Sequence, residues 1–294
     1  MTFRYWIIVI FIGSCWGTIY LFNELLLEEM GPMTVSLGRL VTGAMTLWLI
    51  VLVTGRKVQI PASVVLGLMV LGLFNYALPF TIYPAAQTMI TSTAAGIINA
   101  LTPIMVVVVA SLWPGGERTP LHKWVGVFVG VAGIVVLMQS GRTGGESQIG
   151  GLALAVLSPV CYGVALNYAR KFRKHDPVVL TAVALSAAAV AYLPAVLTIE
   201  GVPTVTSRQT VLAMAAAGPF LTGVLFAVIH WLIQKVGPVA PSTVTFIAPV
   251  VSTLLGVFVL KDAFTLWHAG GIVLIFTALV VIDGGILSRL RRLR

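Results

Sequence analysis

The residues of this chain whose types could bind a small molecule are polar and aromatic side chains embedded in long apolar stretches. A small-molecule pocket usually combines apolar walls with a few convergent polar groups that fix the ligand's orientation. Such a pocket suits a zwitterion with an apolar side chain. We predict that one substrate cavity is lined by Trp16, Tyr20, Asn23, Asn75, Tyr76, Tyr83, Asn99, Tyr162, Asn167, His230, Trp231 and Thr243.

Arg39 lies within an apolar stretch, where an unpaired arginine is costly. The sequence leaves two interpretations open. In the first, Arg39 extends to the membrane surface or pairs with Glu24 or Glu28, which share one helix face. In the second, it holds a substrate carboxylate or forms part of an outer gate.

Pro103 and Pro249 occupy matching positions in the middle of two apolar stretches. Proline lacks a backbone N–H and its ring clashes with the preceding turn, so each is predicted to kink its helix. The two kinks are hinges beside the cavity in one interpretation and plain packing kinks in the other.

The chain contains none of the short motifs that carry enzyme chemistry, such as HExxH or a Walker loop. His122, His175 and His268 are interpreted as loop residues at or near the ends of the apolar stretches, and Cys15 and Cys161 lie inside those stretches as packing residues. A phosphorylated substrate would need several buried Lys or Arg residues, and Arg39 alone is available. We therefore predict a protein that is not an enzyme and has no metal and no cofactor.

The elements that must position these residues are transmembrane helices. The composition is 59% hydrophobic and 9% charged, with a mean hydropathy of +1.03, which is far from the usage of soluble domains. Continuous apolar runs of about 20 residues suit helices rather than a barrel. Ten spans are predicted, at about 5–27, 33–54, 62–82, 88–112, 123–140, 149–169, 178–199, 210–234, 240–260 and 267–287.

Most of the 18 Lys and Arg residues fall on one side of this ten-span arrangement. By the positive-inside rule that side, with both termini, is cytoplasmic. The net charge of +9 is then explained by topology and by attraction to lipid headgroups, rather than by nucleic-acid binding.

The second half of the chain repeats the first at one constant offset. Pro103 aligns with Pro249, Thr119 with Thr265 and Cys15 with Cys161. We predict two domains of five helices each, 1–145 and 146–294. Because five is odd, the second domain enters the membrane from the opposite side, and inverted repeats around a central site are typical of alternating-access transporters.

The polar residues are concentrated on spans one, three, four, six, eight and nine, including Thr102 beside Asn99 on span four. Spans five and ten are almost purely aliphatic and glycine, so we predict that they pack outside the cavity. The GxxxG pair Gly126 and Gly130 on span five allows close helix contact, either within the chain or between copies. The oligomeric state stays open, and a monomer is compatible with the sequence.

The pattern resembles the drug/metabolite transporter superfamily in its ten-span form with two EamA-type repeats. The resemblance is carried by Trp16-Gly17, Pro32, Arg39, Leu101-Thr102-Pro103, Glu117-Arg118-Thr119, Gly126, Gly130 and Gly133, and in the second half by Gly237-Pro238, Pro249, Lys261-Asp262 and Gly270-Gly271. The sequence departs from the family pattern with Asp262 in place of a Glu and Leu185 opposite Arg39. The resemblance implies export of a small-molecule substrate across a bacterial inner membrane, with exporters of aromatic and other amino acids as the most similar branch.

The mode of transport is predicted from the absence of an Asp or Glu near the middle of any span, because proton-coupled pumps normally use one. Facilitated export is therefore expected. Alternatives are a proton-coupled exporter of hydrophobic cations or drugs, a channel, or a membrane subunit that transports nothing.

Overall fold

The computed structural model describes residues 3–113, 120–139, 147–236 and 244–283. Within these ranges the chain is helical and contains no strand, which confirms the all-α prediction. The ten helical segments are α1 (Arg4–Leu27), α2 (Pro32–Val53), α3 (Ala62–Gln87), α4 (Ser92–Asn99 and Thr102–Leu112), α5 (Leu121–Met138), α6 (Ile149–Phe172), α7 (Pro177–Ile199), α8 (Arg208–Ala215, Ala216–Val224 and Leu225–Val236), α9 (Val244–Leu255 and Gly256–Leu260) and α10 (Leu266–Asp283).

The predicted ten-span membrane architecture is confirmed in these segments. Seven helices are long and apolar enough to cross a membrane, and the two halves of α4 form an eighth span that is bent by 41°. The two remaining spans contain shorter apolar helices, Ile247–Leu260 and Leu266–Ile282. Residues 237–243, which precede α9, lie outside the described ranges.

The third span differs from its predicted end at residue 82, because α3 continues to Gln87 with Pro84 inside the helix. The proline follows a turn of π-helix over Leu73–Ala77, and such turns absorb local changes in the backbone ladder. The equivalent part of the second repeat, Ala216–Val224 in α8, is also π-helical. The two repeats therefore share this irregularity as well as their sequence pattern.

Equivalent helices of the two repeats run antiparallel. Arg56, beyond the end of α2, pairs with Asp176 at the start of α7, while Glu200 at the end of α7 accepts hydrogen bonds from the first N–H groups of α2. In the same way the Asp262 carboxylate, after α9, accepts from the N–H of Thr93 at the start of α4. The halves are inverted, as predicted.

These contacts define two ends of the molecule. At one end, called the acidic face, α1 and α7 finish with Glu28, Glu29 and Glu200, and Asp262 follows α9. At the other end, called the basic face, α2 finishes near Arg56, and α6 finishes with a short 3-10 turn over Ala169–Phe172 that carries Arg170 and Lys171.

Helices α5 and α10 pack closely on each other. A methyl group added at Gly126 would lie 2.9 Å from the carbonyl oxygen of Ala278, and one at Gly133 would lie 2.9 Å from Ile275 Cγ1. Gly130 instead faces the side chain of Ile104 in α4. The glycine pattern of α5 thus serves contacts within the chain.

Candidate functional site

A cavity of about 250 Å³ lies between the helices of both repeats. Its walls are mainly apolar and aromatic, with a few polar groups, which is the usual character of a small-molecule site. Among the described residues it is lined by Trp16, Ile19, Tyr20, Asn23, Arg39, Asn75, Phe80, Tyr83, Asn99, Thr102, Tyr162, Leu166, Phe226, Val244 and Ala248. Helices α1, α2, α3, α4, α6, α8 and α9 contribute to this set, and no described residue of α5 or α10 does.

The structure brings together many of the predicted cavity residues. The predicted residues in the lining are Trp16, Tyr20, Asn23, Asn75, Tyr83, Asn99, Tyr162 and Arg39. Contact between these side chains and a substrate stays a prediction.

Three predicted residues lie elsewhere. Tyr76 is buried against the rings of Phe80 and Phe226, at centroid distances of 5.9 and 5.4 Å. The amide of Asn167 donates to the carbonyl oxygens of Val106 and Gly163, so it joins α6 to α4. Trp231 is 38% exposed. None of these three residues is part of the cavity lining.

The two predicted hinge prolines both lie in helices that line the cavity. Pro103 lies in the first turn after the break in α4, and Pro249 lies inside the helix Val244–Leu255. The predicted kink is present at Pro103, where the halves of α4 are bent by 41°. The side chain of His230 and the whole of Thr243 lie outside the described residues. A hinge role for either proline stays a prediction.

Arg39 is a buried cation, 6% exposed, and its guanidinium carbon lies 3.5 Å above the centre of the Phe80 ring. Its Nε and Nη2 atoms each lie 3.4 Å from the Oγ1 of Thr222, which are long hydrogen bonds. Within the described part of the chain, no carboxylate forms an ion pair with it. Cation–π contact stabilises a buried cation only in part, so Arg39 retains the capacity to bind an anion.

The expected pairing of Arg39 with Glu24 or Glu28 is not formed. The Glu24 carboxylate is instead hydrogen-bonded by Gln87 and Ser92, at 3.1 and 3.0 Å. Arg39 instead contacts Phe80 of α3 and Thr222 of α8. The interpretation in which Arg39 pairs with Glu24 or Glu28 is therefore wrong.

The position of Arg39 depends on a close approach of α2 and α8. Gly218 faces the Oγ1 of Thr42, and Gly43 faces the methyl group of Thr222, so added side chains would force these helices apart. Thr222 donates its own hydroxyl proton to the carbonyl of Ala217, at 2.8 Å. Its oxygen is thereby free to accept from the guanidinium.

A second polar group lies where α4 is broken. The hydroxyl of Tyr83 donates to Asn99 Oδ1 at 3.0 Å, and Thr102 Oγ1 donates to the Asn99 carbonyl at 2.8 Å. Both halves of α4 end or begin here, so backbone groups lack their usual helical partners. Broken helices beside a central cavity are typical of binding sites in transporters.

The end of the cavity toward the acidic face is closed by a hydrogen-bonded network. Asn23 donates to Gln87 Oε1 at 2.8 Å, and Gln87 Nε2 donates to the Tyr20 carbonyl at 2.9 Å and to Ser92 Oγ at 2.7 Å. A second, polar pocket lies beyond this network, with Glu24, Gln87 and Asp262 in its lining. The network therefore separates two cavities.

Aromatic rings form most of the remaining wall. Tyr20 and Tyr83 meet edge to face at 5.4 Å, and Trp16 packs on Phe226 at 5.2 Å. The indole N–H of Trp16 donates to the carbonyl of Leu221 at 3.0 Å. These rings are fixed by their neighbours and present apolar surface to the cavity.

Sequence reasoning missed several residues of this region, among them Phe80, Gln87, Thr222 and Phe226. Pro84 resembled a loop residue, which placed Gln87 outside the third span. Thr222 resembles an ordinary helix threonine, and its π-helical turn has no clear sequence signal. In the part of the chain that the structure describes, no group of three His, Cys, Asp or Glu residues could hold a metal ion.

Apolar helices in two inverted sets around a central cavity define a polytopic membrane protein with the architecture of a carrier. The chain belongs to the EamA-like transporter family, because the family model matches residues 4–139 and again residues 149–283. A solved crystal structure shares the fold with a TM-score of 0.66 and 24% identity, covering 95% of this chain and 98% of the other.

Several relatives match almost the whole chain, and some of them are named as transporters. The uncharacterized inner membrane transporter YedA of Escherichia coli (strain K12) is 22% identical over 91% of this chain and 87% of its own length. The uncharacterized transporter YvbV of Bacillus subtilis (strain 168) is 25% identical, over 94% and 90%. Protein PecM of Dickeya dadantii (strain 3937) is 24% identical, over 97% and 94%.

Proposed function

We propose that this protein exports small metabolites that carry a carboxylate, and that its substrates are amino acids with aromatic or apolar side chains. The observation that carries the proposal is Arg39, a buried guanidinium in the wall of an aromatic cavity with no carboxylate partner among the described residues. A buried arginine without an anion is costly. A substrate carboxylate would supply the missing charge through a forked hydrogen bond.

The aromatic wall supports the second part of the proposal. Tyr20, Tyr83, Tyr162 and Phe226 surround the space beside Arg39, and rings of this kind favour contact with apolar or aromatic side chains. They would also attract a hydrophobic cation, which is the main alternative substrate. The positive charge of Arg39 in the same wall opposes that alternative.

Transport is proposed to be facilitated and to follow the substrate gradient. Among the described residues, the lining of the central cavity contains no Asp or Glu that could carry a proton. The inverted repeats provide equivalent helices at both faces, as alternating access requires. With the basic face toward the cytoplasm of a bacterial inner membrane, net flux is outward whenever the substrate is more concentrated in the cytoplasm.

The proposal is tested with purified protein in liposomes and labelled phenylalanine, leucine and a hydrophobic cation. We expect saturable counterflow of the amino acids without an imposed pH gradient. Arg39→Gln should raise the half-saturation concentration for the amino acids by about 10-fold to 100-fold, since a charge-assisted hydrogen bond contributes about 1.5–3 kcal/mol. Arg208→Gln makes the same change at an exposed arginine and should leave that concentration unchanged.

Three results would overturn parts of the proposal. Transport of the cation in preference to every amino acid, with no loss in Arg39→Gln, would reject the carboxylate site. Accumulation of an amino acid against its gradient only under a pH gradient would reject facilitated transport. Flux that does not saturate and shows no counterflow would indicate a channel.

A further inference from the structure

The amide of Gln87 has only one orientation that satisfies its surroundings. One end of it lies 2.9 Å from the carbonyl oxygen of Tyr20, and a backbone carbonyl can only accept a hydrogen bond. That end must therefore be the Nε2 group. A carboxylate oxygen of Glu24 lies 3.1 Å from the same end, so two acceptors agree on the assignment. The opposite end, which faces Asn23, must be the oxygen Oε1.

The orientation of Gln87 determines the orientation of Asn23. An oxygen at Gln87 Oε1 requires a donor, and Asn23 supplies its Nδ2 group at 2.8 Å. The Oδ1 atom of Asn23 is then turned away from the network. This oxygen is buried and finds no hydrogen-bond partner among the described residues, in a side chain that is 1% exposed and lines the central cavity.

A buried amide oxygen without a hydrogen-bond donor is costly, because it has lost its hydrogen bonds to water and gained none in return. The cost is relieved by a ligand that carries a hydrogen-bond donor. The cavity thus contains an acceptor without a donor at Asn23, and a cation without an anion at Arg39. These are the complements of the two charged groups of a zwitterion.

We propose that Asn23 is a specificity-determining residue, and that its Oδ1 accepts a hydrogen bond from the α-ammonium group of the substrate. Gln87 is the positioning residue, because its Oε1 accepts from the Nδ2 group of Asn23 and so leaves the Asn23 oxygen outside the network. The inference rests on the proposed function and deepens it. Arg39 binds carboxylates in general, and Asn23 selects those that also carry an ammonium group.

The test compares phenylalanine with 3-phenylpropionate, which has the same ring and carboxylate and lacks the ammonium group. Both are measured as competitors of labelled phenylalanine in proteoliposomes. We expect wild type to bind phenylalanine about 10-fold to 100-fold more tightly, the range for hydrogen bonds to charged groups. In Asn23→Leu the ratio should fall to about one, with the affinity for 3-phenylpropionate retained.

Two further variants separate positioning from direct contact. Gln87→Leu frees the Asn23 amide to rotate and should lower the ratio less than Asn23→Leu does. Asn167→Leu removes another buried asparagine, whose amide donates to two backbone carbonyls, and the folded variant should keep the wild-type ratio. Asn23→Ala replaces Asn23→Leu if the larger side chain prevents folding.

The outcomes are distinguishable. A wild-type ratio near one, with both compounds bound, overturns the role of Asn23 and leaves the carboxylate proposal standing. A ratio of the two affinities that is unchanged in Asn23→Leu also overturns the role of Asn23 and leaves the carboxylate proposal standing. If wild type binds neither compound, the proposed function fails and this inference fails with it. If no Asn23 variant folds, the wild-type ratio alone decides.

Discussion

Arg56 Nη1 donates to Asp176 Oδ2 across 2.6 Å and so joins the first repeat to the second at the basic face. At the acidic face, Glu200 makes the matching connection to Thr34, at 2.7 Å. Helices α2 and α7 are therefore held at both ends by polar contacts of different chemistry. An ion pair holds one end, and a helix N-terminus capped by a carboxylate holds the other.

The contact at the basic face predicts unequal effects of its two partners. Both side chains are partly exposed, at 26% and 32%, so loss of the pair in Arg56→Met should lower the free energy of unfolding by at most about 1 kcal/mol. Asp176 also accepts from the N–H of Val178 and Val179 as the N-cap of α7, so Asp176→Ala should cost about 1–2 kcal/mol. Denaturation of the two single variants and the double variant measures these free energies of unfolding. Equal losses in the two single variants would contradict the additional capping role of Asp176.

The contact at the acidic face predicts a larger loss from one residue. The Glu200 carboxylate accepts from Met33 N, Thr34 N and Thr34 Oγ1, and Gly31 at the N-cap position has no side chain to replace it. Glu200→Ala should lower the free energy of unfolding by about 1–3 kcal/mol, and Glu200→Gln by less. Thermal unfolding in detergent tests this. An unchanged midpoint in Glu200→Ala would show that solvent caps α2 equally well.

Helix packing predicts that a glycine-to-alanine substitution lowers the stability of the protein at Gly72 and leaves it unchanged or raises it at Gly150. A methyl group at Gly72 would overlap the backbone carbonyl oxygen of Ala184 in α7, which cannot rotate away. Gly72→Ala should therefore destabilise by about 1–3 kcal/mol. At Gly150, also helical, nothing lies within 4 Å of the added carbon, and Gly150→Ala should be neutral or stabilise by up to about 1 kcal/mol. Similar melting temperatures for the two variants would refute this packing.

A pH dependence is expected from Glu29 at the acidic face. Hydrogen bonds from the Thr206 side chain and from backbone N–H groups lower the pKa of Glu29 from 4.5 to about 2. A lowered pKa in the folded state means that this carboxylate stabilises the fold above pH 4.5, and that the contribution is lost as the pH falls toward 2.

Unfolding midpoints of wild type and Glu29→Gln, measured across that pH range, test the expectation. The two should differ most above pH 4.5 and converge in acid. Glu28→Gln removes the same charge from the adjacent residue and serves as the control. A difference between wild type and Glu29→Gln that is constant with pH would contradict the assignment.

Much of the architecture could be predicted because it depends on properties that run along the chain. Apolar length determines a helical span, and a constant offset between Pro103 and Pro249 reveals the repeat. The polar content of each span also predicted six of the helices that meet the cavity, and it missed α2, which contributes Arg39. Asn75 and Tyr76 show where this reasoning ends, because adjacent residues of one span have different environments. Only Asn75 of the two lines the cavity.

The sequence by itself determined that the protein is helical, spans a membrane and consists of two inverted halves, since hydropathy and duplication need no third dimension. Only the tertiary structure decided which polar groups meet. The rotation of each helix about its axis is set by packing, and packing turned Asn167 to a backbone carbonyl, Glu24 to Gln87, and Arg39 to Phe80. As a result, Arg39 has no anionic partner and Asn23 Oδ1 has no hydrogen-bond donor among the described residues of the cavity. The linear sequence does not reveal these helix rotations.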